Sequence, residues 1–212
     1  MTDHATRPFA LRPVLSIVPM LLMFIGVNAA SAQSAPSNTP LACTGPFARN
    51  ATPEAIAKAF GKANVTTEEI DGAEGEKEKI TVLFGKDPAQ RLEIFWQDNE
   101  GERSIAQIRV GTGSSWRTPQ GLGIGMGLAE VEKLNGKPFL LSGFGWDYGG
   151  TTRGWQNGKL ATQPGNCFLM LRFAPTKTTK ADIDGDRDIP SSNAGMRSAA
   201  PVVELIALNY PD

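Results

Sequence analysis

The chain of 212 residues holds a single histidine, His4, and it lies in a segment expected to be cut away. What remains cannot build a Ser-His or Cys-His nucleophile pair, a histidine zinc site or an imidazole proton shuttle. Long apolar runs are missing as well. The run over 14–27 carries Pro19 and falls short of the roughly 20 residues a membrane-spanning helix needs, and no later stretch is apolar enough to span. Clustered positive charge is also lacking. Removing Arg7, Arg12 and Asp3 from 21 basic and 22 acidic residues leaves a slight excess of acid and no basic block. Nucleic acid and anionic membrane surfaces, which demand clustered cations, are therefore poor candidate partners.

The first 32 residues have the three parts of a bacterial-type export signal. Arg7 and Arg12 supply the positive start, 14–27 the apolar run, and Ala30-Ser31-Ala32 the small side chains a signal peptidase needs. Cleavage between Ala32 and Gln33, and a periplasmic or secreted protein, are the expectations. Leu41-Ala42-Cys43 has a faint likeness to a lipobox, but a lipobox must abut the apolar run and this triplet lies well beyond it. In an oxidising compartment the two cysteines, Cys43 and Cys167, most simply form one disulfide. Closing so long a loop stabilises by roughly 4–5 kcal/mol in the chain-entropy model, an upper figure because strain subtracts from it. A reactive thiol would need a histidine or cationic neighbour to activate it, and neither cysteine has one in sequence.

The segment 33–48 is rich in Ser, Pro, Ala and Asn and reads as a flexible linker that becomes ordered near Cys43. Thr52-Pro53-Glu54 then offers an N-cap, a proline at the first helical position and an acid in the first turn, with Gly61 as the stop. Ile56, Ala59 and Phe60 share one face of that helix. Strands are expected over 65–70, 80–84, 91–97 and 104–110, separated by Asp71-Gly72, Asp87-Pro88 and Asp98-Asn99-Glu100-Gly101. Leu92, Ile94 and Trp96 alternate with more polar neighbours, and Phe95 breaks the alternation. After this first unit, 49–115, the pattern restarts in a second, 116–212. Leu128, Val131 and Leu134 mark a second short helix ending at Gly136, and at an offset of 75 residues Ile56 falls on Val131, although Phe60 falls on Asn135. An internal duplication of helix-plus-meander units sharing one core is the expectation. Strands follow at 138–141, 146–155, 167–173 and 202–208. The stretch 167–171 is apolar on both faces and reads as a central, doubly covered strand. A long loop with room for one helical turn fills 174–200.

Three motifs invite chemistry. The alternating Gly121, Gly123, Gly125 and Gly127 lack both the dinucleotide and the phosphate-loop spacing, and read as a supple approach to a helix. Asp182, Asp184, Asp186 and Asp188 alternate as calcium ligands would, but an EF-hand register starting at Asp182 meets Arg187 where glycine is needed and Asn193 where glutamate is needed. The densest aromatic segment of the exported part is different in kind: Phe144, Trp146, Asp147, Tyr148, Arg153 and Trp155 combine the residues that dominate interface hot spots with glycines between them. They are the candidate recognition surface. Packing across a twisted sheet is the competing account of the same rings.

The run Gly123-Ile-Gly-Met-Gly-Leu-Ala-Glu-Val-Glu-Lys-Leu-Asn-Gly-Lys-Pro138 resembles the unit that opens small-lipoprotein components of outer-membrane assembly and beta-lactamase-inhibitor-like domains. Gly143-Phe-Gly-Trp-Asp-Tyr-Gly-Gly150 is similar to a signature of uncharacterised exported proteobacterial proteins. The resemblance implies a helix-plus-antiparallel-sheet fold and a protein-binding role. No inhibitor's contact residues carry over. The expected protein is thus α+β, exported and non-enzymatic, a binding module whose partner is an envelope protein, with no catalytic residue, cofactor or metal ligand assigned. The alternatives are a small-ligand or glycan-binding periplasmic domain and, behind it, a carboxylate-based hydrolase. Intact-mass measurement of the exported protein is expected to give a chain beginning at Gln33.

Overall fold

The Thr52 hydroxyl accepts a hydrogen bond from the Ala55 N–H at 3.3 Å, and Pro53, which has no N–H to leave unpaired, opens helix α1 (Pro53–Phe60). Gly61, at φ 87°, ends it. In this computed structural model residues 1–2, 39–72, 75–98 and 100–211 are described. The expected export signal, apart from its first two residues, and its Ala32–Gln33 junction lie outside them. α1 buries Ile56 and Phe60 but leaves Ala59 exposed. An i, i+4 pair is enough for so short a helix to dock, and the third expected contact is not made.

Four strands follow as an antiparallel meander: β1 (Val65–Asp71), β2 (Lys77–Leu83), β3 (Leu92–Asp98) and β4 (Arg103–Val110). On β3 the side chains of Leu92, Ile94 and Trp96 enter the main core. Phe95 packs with Ile80 and Val82 in a separate cluster, with the Arg109 guanidinium 4.5 Å from its ring centroid. The register slips between Phe95 and Trp96, a bulge that increases local twist. Arg91 donates to both carboxylate oxygens of Glu68, at 3.2 and 2.9 Å, and this pairing holds the Glu68 carboxyl below its ordinary range.

Helix α2 (Leu128–Asn135) starts and ends 75 residues after α1. The Glu130 carboxylate accepts from the Gly127 N–H at 2.7 Å and caps its start. Its buried positions are Leu128, Val131 and Asn135, with the expected Leu134 only half-buried. Asn135 stands where Phe60 stands in α1, and both are buried. The amide is accommodated because its Nδ2 donates to the Lys137 and Trp155 carbonyls and its Oδ1 accepts from the Leu160 N–H.

The remaining elements are β5 (Leu140–Ser142), β6 (Thr152–Gly154), β7 (Phe168–Ala174), β8 (Asp188–Pro190), α3 (Ala194–Ser198) and β9 (Val202–Asn209). The main sheet has the order β1-β2-β3-β4-β9-β7, and a small one the order β6-β5-β8. All the strand pairs are antiparallel, so the fold is α+β. Val65 and Leu140, and Lys77 and Thr152, open strands 75 residues apart. β4 has no strand at that offset.

Three expectations are corrected. β7 is not central: β9 inserts between it and β4, so β7 takes the edge of the main sheet and leaves Phe168 60% exposed. The stretch 146–155 is not one strand. It is a turn followed by the three-residue β6, since the turn hydrogen bonds from Gly149 N–H to Trp146 O and from Thr151 N–H to Tyr148 O fold it back. The stretch 174–200 is more than a loop, because Ile183, Ile189, Met196 and Ala199 are buried and fasten a 3-10 turn (Ala181–Ile183), β8 and α3 to the core.

The cysteines are joined, Cys43 to Cys167, with Cα atoms 6.3 Å apart across a sequence separation of 124. Composition misleads about the linker expected over 33–48. From Leu41 onward it is core, with Leu41, Ala42, Cys43 and Phe47 buried. The Phe47 ring stacks 5.2 Å from Phe60 and meets Trp116 edge-on at 5.7 Å. The Tyr210 hydroxyl donates to the Phe47 carbonyl, and burial pushes its phenol above the ordinary range. Gly165 permits the crossing: a Cβ there would lie 1.9 Å from the Cys43 carbonyl oxygen. The double change Cys43→Ser, Cys167→Ser is expected to cost about 2–5 kcal/mol of unfolding free energy, read from the urea midpoint of the exported form.

Candidate functional site

Backbone pairing brings two distant segments together. β5 pairs with β8, placing Ser142 opposite Asp188, and the chain beyond β5 runs on beside the loop that precedes β8. Gly143 N–H donates to Arg187 O, Phe144 N–H to Ile183 O, and Gly185 N–H to Phe144 O, at 2.8–3.1 Å. The approach is close enough to need glycine at 143, where a Cβ would lie 2.6 Å from the Gly185 carbonyl oxygen. Gly150, at φ 74°, turns the chain under Phe173. A Cβ there would meet the Phe173 carbonyl oxygen at 2.1 Å.

This frame sorts the six residues of the expected recognition surface into two groups. Phe144 and Trp155 are buried. The Trp155 indole N–H donates to the Leu169 carbonyl at 2.9 Å, and its ring centroid lies 5.0 Å from that of Phe139. These two rings are anchors. Trp146, Asp147, Tyr148 and Arg153 face outward to different degrees, Trp146 being half-buried and Tyr148 68% exposed. The Trp146 indole N–H donates to the Gly143 carbonyl at 2.9 Å, which fixes the ring. Tyr148 meets it edge to face, centroids 5.3 Å apart and planes at 66°.

Arg153, on β6, ties the aromatic pair to the acidic loop. Its guanidinium lies 5.7 Å from the Trp146 centroid, pairs with Asp186 and reaches Asp188 Oδ1 at 3.7 Å. Asp184 lies against Gly145, and its Oδ1 is buried without a hydrogen-bond partner. The alternating aspartates were visible in sequence. Their contacts with Gly145 and Arg153 were not, because nothing local announces the β5–β8 pairing. Among the described residues no three carboxylates or thiolates gather as a cation site requires.

Other polar groups hold elements together. Glu93 is shared by Arg91 and Arg109, and Glu132 accepts from Ser191 and Arg197, tying α3 to α2. A shallow depression of about 160 Å³ beside Glu93, walled by Pro88, Arg109, Val110 and Leu205, includes none of the aromatic-segment residues. Gly121 and Gly125 adopt positive φ, and Gly125 N–H donates to the Val203 carbonyl, so the glycine run is a bent approach to α2 with its own backbone partners.

The frame itself can be tested with glycines. Gly145→Ala is expected to cost about 1–2 kcal/mol for the left-handed backbone alone, since no atom lies closer than 3.6 Å to its Cβ. Gly150→Ala should add about 1–3 kcal/mol of overpacking, giving a clearly lower urea midpoint. No protein-family model, curated protein or solved structure matches this chain.

Proposed function

We propose that the chain is a non-enzymatic protein-binding module of the cell envelope, periplasmic or secreted, which takes an envelope protein on the surface formed by Trp146, Asp147, Tyr148 and Arg153. The observation that carries the reading is a large exposed aromatic on a fixed support. Tyr148 is 68% exposed, yet it rests on Trp146, whose indole is hydrogen-bonded to Gly143. A ring displayed by a turn that is held on both sides loses little freedom on binding, which favours affinity. Tyr, Trp and Arg are also the side chains that interface hot spots favour. A buried disulfide supports an oxidising, non-cytoplasmic compartment, and the 1–32 segment supports export.

The test is affinity capture from an envelope extract with the exported form, beside a Trp146→Ala, Tyr148→Ala double variant whose circular dichroism and urea midpoint match the wild type. A protein held by the wild type should be lost by the variant. Once purified, that protein should bind the variant at least tenfold more weakly, about 1.4 kcal/mol. Capture of the same proteins by both forms would remove the aromatic pair from any binding role.

A further inference from the structure

Asparagine followed by glycine occurs twice in the chain, at Asn135-Gly136 and Asn157-Gly158. This dipeptide is prone to lose its side-chain amide unaided, because glycine leaves the next backbone nitrogen uncrowded and able to attack the asparagine carboxamide. The fold treats the two sites in opposite ways.

Asn135 ends α2 and is 1% exposed. Its Nδ2 donates to the Lys137 and Trp155 carbonyls and its Oδ1 accepts from the Leu160 N–H. The Gly136 N–H is held by the Glu132 carbonyl at 2.8 Å. Carboxamide and nitrogen are both engaged there, away from water. Asn157 lies in the turn that follows Trp155 and is exposed. No hydrogen bond holds its side chain among the described residues. The Gly158 N–H donates to the Trp155 carbonyl at 2.9 Å, a turn bond that the attack has to break. A solvated turn opens locally at far lower cost than the buried end of a helix.

The fold also demands both residues of the exposed pair. Gln156 and Asn157 have left-handed backbone, φ 54° and 57°, the central positions of a tight turn in which asparagine is among the few favoured side chains. Gly158 has φ −77°, which any residue adopts, yet a Cβ there would lie 2.1 Å from Asn135 Oδ1. Packing against the protected asparagine thus requires glycine beside the unprotected one.

We propose that Asn157 is a site of spontaneous backbone modification. The Gly158 nitrogen bonds to Asn157 Cγ, the Cγ–Nδ2 bond breaks, and ammonia leaves with the proton that Gly158 gives up, so a succinimide ring remains. Water then opens the ring. Attack at Cγ yields aspartate, whereas attack at the backbone carbonyl yields isoaspartate, whose main chain runs through Cβ and Cγ and is longer by a carbon. Either product adds a negative charge. The longer chain lies between Trp155 and Gly158 and loosens the grip of Gly158 and Asn135 on the Trp155 carbonyl.

The exported form is kept for several weeks at 37 °C in mildly alkaline buffer, resolved by isoelectric focusing and mapped by peptide mass spectrometry, with isoaspartate detected by an isoaspartyl methyltransferase. An acidic form is expected to accumulate and to map to Asn157, with at least about tenfold less conversion at Asn135, which is released only when the end of α2 opens. Asn157→Gly keeps the left-handed backbone, lacks the carboxamide and should not age at this position. Freshly prepared Asn157→Asp should match the fresh wild type in urea midpoint, and the isoaspartyl fraction should unfold at lower urea than either. Absence of an acidic form, an acidic form that maps elsewhere, or equal conversion at Asn135 would overturn the site. These readings come from the wild type, so they hold even should a variant fail to fold. An isoaspartyl fraction with an unchanged midpoint would overturn the loosening at Trp155.

Discussion

Strand β9 makes one sheet out of two halves of the chain. Its residues hydrogen-bond to β4 on one side and β7 on the other, and Ile206, Ala207 and Leu208 are fully shielded. Without that insertion the first meander would end at β4 with an open edge, and the second half would have no long strand pair at all. Both pairings join distant parts of the sequence, such as Gln107 with Asn209. The chain must close large loops before the apolar gain is collected, which predicts slow assembly relative to helical proteins of this size. The disulfide acts in the same sense. It ties the segment of Leu41 and Phe47 to the residue just before β7 and lowers the entropy of the unfolded chain from which β9 has to find its place.

Display of the outward-facing rings depends on burial of their neighbours. Phe144 and Trp155 enter the core, the one ahead of the turn and the other just past β6. Between these anchors the chain has few conformations left, because Gly143 and Gly150 are pressed against backbone on both flanks. Trp146 and Tyr148 consequently stand on a support continuous with the core. Arg153 and Trp155 are two residues apart and would share a face in a continuous strand, but β6 ends at Gly154, so past it the tryptophan fills the interior while Arg153 reaches the acidic loop.

Much of the first half was legible from residues 52–110. The Thr52 cap, the proline after it, Gly61 and the Asp-containing turns act over three or four residues, and their effect is the same in any tertiary setting. Phe95 was legible only as an exception. Its partners Ile80 and Val82 lie on another strand, and the sequence contains no sign that the second face of the sheet would carry its own apolar cluster. The second half reads less well because its elements are short. β5, β6 and β8 have three residues each, too few for any period to show, and β8 includes Pro190, which argues against a strand unless the position is one that donates no ladder hydrogen bond.

By itself the sequence determined the α+β class, the positions and ends of both main helices, the four strands of the first meander and the partner of each cysteine. These follow from local backbone preference, from alternation along single strands, and from there being only two thiols to join. The tertiary structure alone decided that β7 lies at an edge although its residues are apolar on both faces, that the amide of Asn135 is buried in the core, and which two of the four outer-segment aromatics reach solvent. It alone brought Asp184 against Gly145 and Asp186 to Arg153. These outcomes depend on pairings between residues tens to hundreds of positions apart. No short run of residues carries both partners of such a pairing, so the choice is made by the packing of the whole core.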